Sequence, residues 1–300
     1  MINTMRREVR VSPGVTCGIL QYALSQKGLI AIVDKIPSSQ VSMDGISNLS
    51  RRYGLGFDHL VSFDVILPSG KFITVNKSNE YRDLFRAYKG GMLSDIGIVT
   101  SYLLQCHPTP IVTKTTWTCE RSPSIVEKWM TRVTRSDDNL LDASLVIDNK
   151  EVVISMTSSS DYKVEDFSDR KIVVPLLDYL SYSHDPEVHS IHSTTSYYRV
   201  KPFSQDELKA LFKAVDRAGT RLEIVSLSDA SQRIPPSESM LSDRRSISFI
   251  VRVSLYDHLM DTETISSVCK AMWMCDRVVS SDVQSYITGV REKYNPSVRP

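Results

Sequence analysis

Three hundred residues, 41% hydrophobic and 24% charged, can bury the core of one large or two medium domains. The formal net charge is +1 and "MRREVR" is the only dense basic run, so the balance argues against nucleic acid or an acidic partner, and that run is expected to be a solvated terminus. Five scattered cysteines (Cys17, Cys106, Cys119, Cys269, Cys275), with no C-x-x-C pair, argue against a disulfide framework and a zinc site.

No stretch approaches the length of a membrane span. The start "MINTMRREVRVSPG" turns charged at once, which as written predicts a reducing, cytoplasmic location; secretion would need a preceding segment.

Residues 8–12 read as a short strand ending at Pro13-Gly14. Thr16 is placed to cap a helix to about Lys27, with Gly28 as its left-handed stop and Ile19, Leu20, Ala23 and Leu24 as its buried stripe. "LIAIV" (29–33) is a continuous apolar run, the pattern of a central strand covered on both faces. Residues 34–52 carry no period and read as loop. "HLVSFDVIL" and "KFITV" form a hairpin, with Gly70 in the left-handed position of its turn. In "NEYRDLFRAYKGG", Tyr81, Leu84, Phe85 and Tyr88 make one apolar helical face, which Gly90-Gly91 terminates. "IGIVTSYLLQCHP" (96–108) is a further strand, punctuated by Pro108 and Pro110.

Beyond the prolines, "TKTTWTC" reads as a strand, and Ser122 or Ser124 is placed to cap a helix through Trp129. "ASLVID" and "EVVISM" pair across Asn149-Lys150. A helix is expected at 170–180, kinked or started by Pro175. "TSYYRV" is a strand, and "SQDELKALFKAVDRAG" is a helix with a Ser204/Glu207 capping box and Gly219 as its stop. Strands "LEIVSL" and "ISFIVRV" flank a mobile-looking "SDASQRIPPSESMLSDRR". Helices at about 262–274 and 280–293 close the chain. The fold class this predicts is α+β, in two subdomains.

Few residues stand out chemically. His184, His189 and His192 lie close together, but their spacing fits no zinc pattern and they read as solvated loop histidines. Tyr197 and Tyr198 alternate on a strand, so one must face inward, as a core, pocket-lining or proton-accepting tyrosine. Met272, Trp273 and Met274 read as core, and no metal site is expected. No P-loop, H-E-x-x-H or Ser-His-Asp order supports a hydrolase or nucleoside triphosphatase.

The order "YGLGFD", "PSG", "DLFRAYKGG", "GIVT" and "HP" across residues 8–108 resembles FAD-linked oxidases of the vanillyl-alcohol oxidase superfamily, in the berberine-bridge-enzyme-like branch. "SYYRVKPFSQDELKALFKAV" and "YITGVREKYNP" are similar to that branch's substrate-domain strand–helix and C-terminal helix. The resemblance implies a partial PCMH-type FAD-binding domain (1–110), a smaller α+β substrate domain with an antiparallel sheet (111–275), and a C-terminal helix returning to the first part (276–300). It also implies FAD as cofactor and a small-molecule substrate, an alcohol, sugar or secondary metabolite oxidised by dioxygen. Tyr53, Gly54, Asp58, Gly97, Ile98 and Val99 match positions near the cofactor, and Tyr197 and Tyr198 are the catalytic candidates.

The chain departs from the pattern in three places. The family's N-terminal FAD subdomain does not precede "VRVSPG", the normally glycine-rich loop at 34–52 keeps only Gly45, and Met-Leu-Ser-Asp follows Gly90-Gly91. Side chains in such a loop block close backbone approach to a diphosphate. An N-terminally truncated, diverged oxidase is therefore expected. The alternative is a non-catalytic binding protein or a cofactor-free cyclase that reuses the substrate pocket.

Overall fold

Alternating apolar residues build two antiparallel sheets in succession along the chain, each with helices packed against it. The computed structural model describes residues 1–42, 45–90, 95–135, 140–159, 167, 170–175, 193–218, 220–227, 230–241, 244–255 and 281–296. The first sheet contains β1 (Ile2–Asn3), β2 (Glu8–Val11), β3 (Leu29–Ala31), β4 (Leu60–Ile66), β5 (Phe72–Asn76) and β6 (Ile98–Pro108). Its order is β1-β2-β6-β4-β5, with β3 paired to the far end of β6.

The second sheet contains β7 (Val112–Cys119), β8 (Leu140–Ile147), β9 (Val152–Ser159), β10 (Arg170–Pro175), β11 (Ser193–Arg199), β12 (Thr220–Ser226) and β13 (Phe249–Leu255). Its order is β10-β7-β9-β8-β12-β13-β11. The α+β class is the one the sequence predicts.

The helices are α1 (Cys17–Ser25), α2 (Ser50–Tyr53), α3 (Arg82–Tyr88), α4 (Pro123–Val133), α5 (Gln205–Ala218), α6 (Ala230–Arg233) and α7 (Ser281–Tyr294). Thr16 caps α1 as expected, its hydroxyl accepting from the Ile19 N–H. The buried stripe differs: it is Cys17, Leu20, Gln21 and Leu24, while Ile19 and Ala23 face solvent. Gln21 is the reason. Its side-chain amide donates to the Ala31 carbonyl at 2.7 Å and its oxygen accepts from the Ala31 N–H at 3.2 Å. A polar side chain thus stands in for a neighbouring strand along β3. Accordingly "LIAIV" is buried on both faces, but β3 pairs only with β6 and is not central.

The β4–β5 hairpin forms with Gly70 at φ +80. Leu84, Phe85 and Ala87 of α3 are buried, and Gly90 follows at φ +88. The C-terminal helix α7 is tied onto α3 by one carboxylate. Asp83 accepts from Lys293 Nζ at 2.6 Å and from the Tyr294 hydroxyl at 2.8 Å, while its backbone carbonyl accepts from the Tyr286 hydroxyl at 3.2 Å. At the other end of the chain, the "MRREVR" segment is largely exposed, as expected of a solvated terminus, and is also ordered as a hairpin. It forms the turn of a β1–β2 hairpin, and the Met1 ammonium donates to the Arg10 carbonyl at 2.9 Å.

In the second half, Ser122 caps α4 with Pro123 at its first position, where the absent N–H costs nothing. Asp148 closes the β8–β9 turn by accepting from the N–H groups of Lys150 and Glu151. The Ser204/Glu207 capping box forms in full, and Arg199 clamps the same Glu207 at 2.9 and 2.8 Å.

Residues 170–175, expected as helix, are strand β10 against β7. The run "RKIVV" is rich in β-branched residues, and the open edge of β7 supplies the hydrogen-bonding partner that decides its state. The histidine cluster, the helix at 262–274, Met272-Trp273-Met274, Gly91, Gly219, Cys269 and Cys275 lie outside the described residues. Cys17, Cys106 and Cys119 are buried, and burial pushes the Cys17 and Cys106 thiols up to about 12 and about 11. Among the described residues no cluster is suited to a metal, and no helix is long and apolar enough to cross a membrane.

Candidate functional site

The two faces of the second sheet differ in chemistry. One packs Trp117, Leu145, Ile154, Ile224, Phe249 and Val251 against α4 and α5, with Trp129, Leu208 and Leu211 opposite. Full burial of side chains of this size contributes roughly 1.5–3 kcal/mol each.

The other face follows from the pairing register, because directly paired residues share a face. One cross-strand row runs Lys114–Thr157–Asp142. A second runs Thr116–Ser155–Ser144–Val225–Ile250. A third joins Val146, Glu223 and Arg252. Hydroxyls and charges dominate this face, and it turns toward the first sheet.

Two cations from the 34–53 segment reach across to the second sheet's part of the molecule. Lys35 Nζ donates to Glu223, which Arg252 also contacts at 3.4 Å. Burial opposes ionisation of Glu223, but Lys35 and Arg252 outweigh it and hold the carboxyl down to about 2. Arg51 is fully buried. Its guanidinium donates to the carbonyls of Val133 at 2.6 Å and Arg135 at 2.9 Å, and to the Ser226 hydroxyl at 2.9 Å. Helix α2 therefore ends what otherwise reads as loop, and it anchors that loop to the second sheet's side of the molecule.

Asp142 sits beside this cluster. It is 4% exposed, it lies at a bulge in β8, and its Oδ1 has no hydrogen-bond partner among the described residues. Burial raises its carboxyl to about 7; Lys35 and Lys114 pull it back and Glu223 adds to the rise. None of Lys35, Arg51, Asp142, Glu223 and Arg252 was singled out from the sequence. The only available signal was the run of Thr, Ser, Lys and Asp at alternate strand positions, which a solvated face shows equally.

The residues that were singled out fall elsewhere, chiefly around the start of β4. Tyr53 ends α2, and its ring lies 4.4 Å from that of His107. Its carbonyl accepts from His59 Nε2 at 3.0 Å, which leaves His59 Nδ1 to accept from His107 Nε2 at 3.0 Å. Gly54 has φ +95, and a Cβ there would lie 2.6 Å from the Asp58 carboxylate.

Asp58 accepts from the Arg244 guanidinium at 2.9 and 2.7 Å and from the Leu55 N–H at 2.9 Å. Both ends of this ion pair are buried, so Arg244, near the end of the segment that reads as mobile, is docked on Asp58. Gly97 meets the Ile66 carbonyl, which a Cβ would approach to 2.5 Å. Ile98 is 71% exposed in a row with Ile66 and Phe72, whereas Val99 packs on the core beside Val65. Tyr197 and Tyr198 pair with Val251 and Ile250 on β11, far along the sheet order from Asp142.

Residues 2–76 match the sequence profile of the FAD binding domain family. Tyr53, Gly54 and Asp58 fall inside that match. The chain is similar to the FAD-linked oxidoreductase ZEB1 of Gibberella zeae (26% identity over 161 residues, 52% of this chain) and to berberine bridge enzyme-like 25 of Arabidopsis thaliana (30% over 146 residues, 44% of this chain). The aligned stretches span only 28% and 25% of those proteins.

Among solved structures, Physcomitrella patens BBE-like 1 superposes with a TM-score of 0.83 at 14% identity, covering 99% of this chain and 76% of that one. Chitooligosaccharide oxidase superposes with a TM-score of 0.78 at 14% identity, covering 97% and 76%. The fold is that of berberine-bridge-enzyme-like FAD-linked oxidases. The matched segments are similar to flavoproteins of that kind, and FAD is the cofactor to which the profile match and the relatives point.

Three described glycines that a cradle for the FAD diphosphate could use lie against the chain itself. A cradle needs glycines whose missing side chains leave backbone N–H groups open to a phosphate. At three of them the Cβ side is taken by protein: Gly45 packs on the backbone of Val33 and Asp34, Gly54 on Asp58, and Gly97 on Ile66, whereas Gly14, Gly28 and Gly70 are open on that side.

Proposed function

We propose that this chain is part of an FAD-linked oxidoreductase whose substrate is a small alcohol or sugar that meets the polar face of the second sheet. The observation that carries this reading is the density of hydroxyl and charged groups on that face: Thr116, Thr157, Ser144, Ser155, Asp142 and Glu223. A polyhydroxylated ligand would find donors and acceptors there, whereas a flat apolar ligand would leave them unsatisfied. Lys35 and Arg252 both pair with Glu223 on that face. FAD, when bound, supplies hydride acceptance, while the protein orients the substrate and handles its proton.

The closed glycines favour a second reading, a cofactor-free binding protein that keeps the same face. The visible spectrum of purified protein, before and after soaking with FAD and desalting, separates the two. A retained flavin band near one per chain, followed by dioxygen consumption with an alcohol or sugar panel, is the result expected of the oxidoreductase. A folded, colourless protein would leave only the second reading.

A further inference from the structure

We propose that the Asp142 carboxyl is the group through which this face exchanges a hydrogen bond, and a proton, with a ligand hydroxyl. The inference rests on the reading that the polar face meets an alcohol or sugar. Asp142 is almost wholly buried, yet its Oδ1 has no partner among the described residues. A buried carboxyl oxygen left unpaired carries a desolvation penalty that a hydroxyl ligand would remove.

The surrounding groups are assigned to other partners. Glu223 is engaged by Lys35 and Arg252, Arg51 by two carbonyls and Ser226. Lys114 on β7, Lys35, Arg51 and Glu223 are the charges that act on Asp142, and Thr157 faces it from β9 in the pairing register. The bulge between Leu140 and Asp142 interrupts the ladder at this residue, and bulges of this kind re-aim a side chain. Ionised, Asp142 accepts the ligand O–H; protonated, it donates its own O–H to the ligand oxygen. Its balance near neutrality lets both forms occur.

The test is the carboxyl carbon resonance of Asp142 in protein labelled with 13C-aspartate, identified by its loss in Asp142→Asn. Asp142→Leu, of similar volume, serves where the first variant fails to fold. The resonance is followed between about pH 5 and 9 with D-glucose or glycerol in excess and without either. A midpoint near neutrality that polyol moves by about half a pH unit, a roughly threefold difference in affinity between the two protonation forms, is the expected result. A neutral midpoint that neither polyol moves means Asp142 holds water alone, and the proposal fails. No titration in this range also overturns it. Flavin retention by the same preparation is read separately at visible wavelengths, so loss of this proposal and loss of the oxidoreductase reading remain distinguishable.

Discussion

A His59→Gln variant is expected to gain about 3 kcal/mol on the wild type when the pH is lowered from 7 to 4. Burial first, and then the facing His107, lower the His59 imidazole to about 4. Asp58 and the bond to the Tyr53 carbonyl act the other way, and Lys89 adds to the depression. In the unfolded chain the same group titrates near 6.5. A depressed histidine is neutral in the folded state while the unfolded state binds a proton. Its stabilisation is therefore complete above pH 6.5 and is lost as the pH falls toward 4, by about 1.4 kcal/mol per unit.

Geometry gives the same sign. The Tyr53 carbonyl requires a proton on His59 Nε2, so protonating Nδ1 would break the bond donated by His107 Nε2 and force His107 into its other tautomer. Asp142 works in the opposite direction over the same range, because a carboxyl raised to about 7 makes the folded state the better proton acceptor. The two effects offset each other in the wild type, so the variant difference is the informative quantity. Urea melts of both proteins at pH 7, 5.5 and 4 would measure it. Parallel losses in the two proteins would mean that the histidine pair contributes nothing to acid sensitivity.

The second large effect lies at the Asp58–Arg244 pair. Asp58→Asn or Arg244→Met is expected to cost about 3–5 kcal/mol, because each leaves a charged or polar group buried without its partner. The double variant should recover part of that loss, since no lone charge remains. Asp58 also holds the Leu55 N–H, so its substitution loosens the 3-10 turn at Gly56–His59 as well. Chemical denaturation of the four proteins in the cycle gives the coupling energy. A coupling near zero would show that the buried pair does not hold the 230–244 segment in place.

The elements that were legible in the sequence are those whose signals are local. Thr16, Ser122, the Ser204/Glu207 box and Gly70 each act within four residues, and each forms as the pattern predicts. What failed depends on distant partners. Nothing local tells that Gln21 faces inward, because the Ala31 edge that makes its burial affordable lies on another strand. The docking of Arg244 has no local signal either, because its partner Asp58 lies far upstream. Likewise, 170–175 becomes strand only because β7 offers an open edge.

The candidate site was the least legible part. Motif residues such as Asp58 and Gly97 serve packing among the described residues, while the buried charges come from the glycine-poor loop and from strands with an ordinary polar alternation. Buried and solvated faces of such strands share one pattern, and only the docking of the first sheet separates them.

Strand β6 has a consequence for how this chain leaves the ribosome. β2, β3 and β4 all pair with it, yet it is made last of the six strands in its sheet. Until Ile98–Pro108 emerges, β3 has no partner strand, and the apolar "LIAIV" run has no sheet to join. Long-range pairing of this kind delays closure and leaves apolar segments open to misassociation during synthesis. The β4–β5 hairpin, closed by its own turn, can form meanwhile. The first sheet thus assembles around its final strand, and its apolar segments wait for that strand during synthesis.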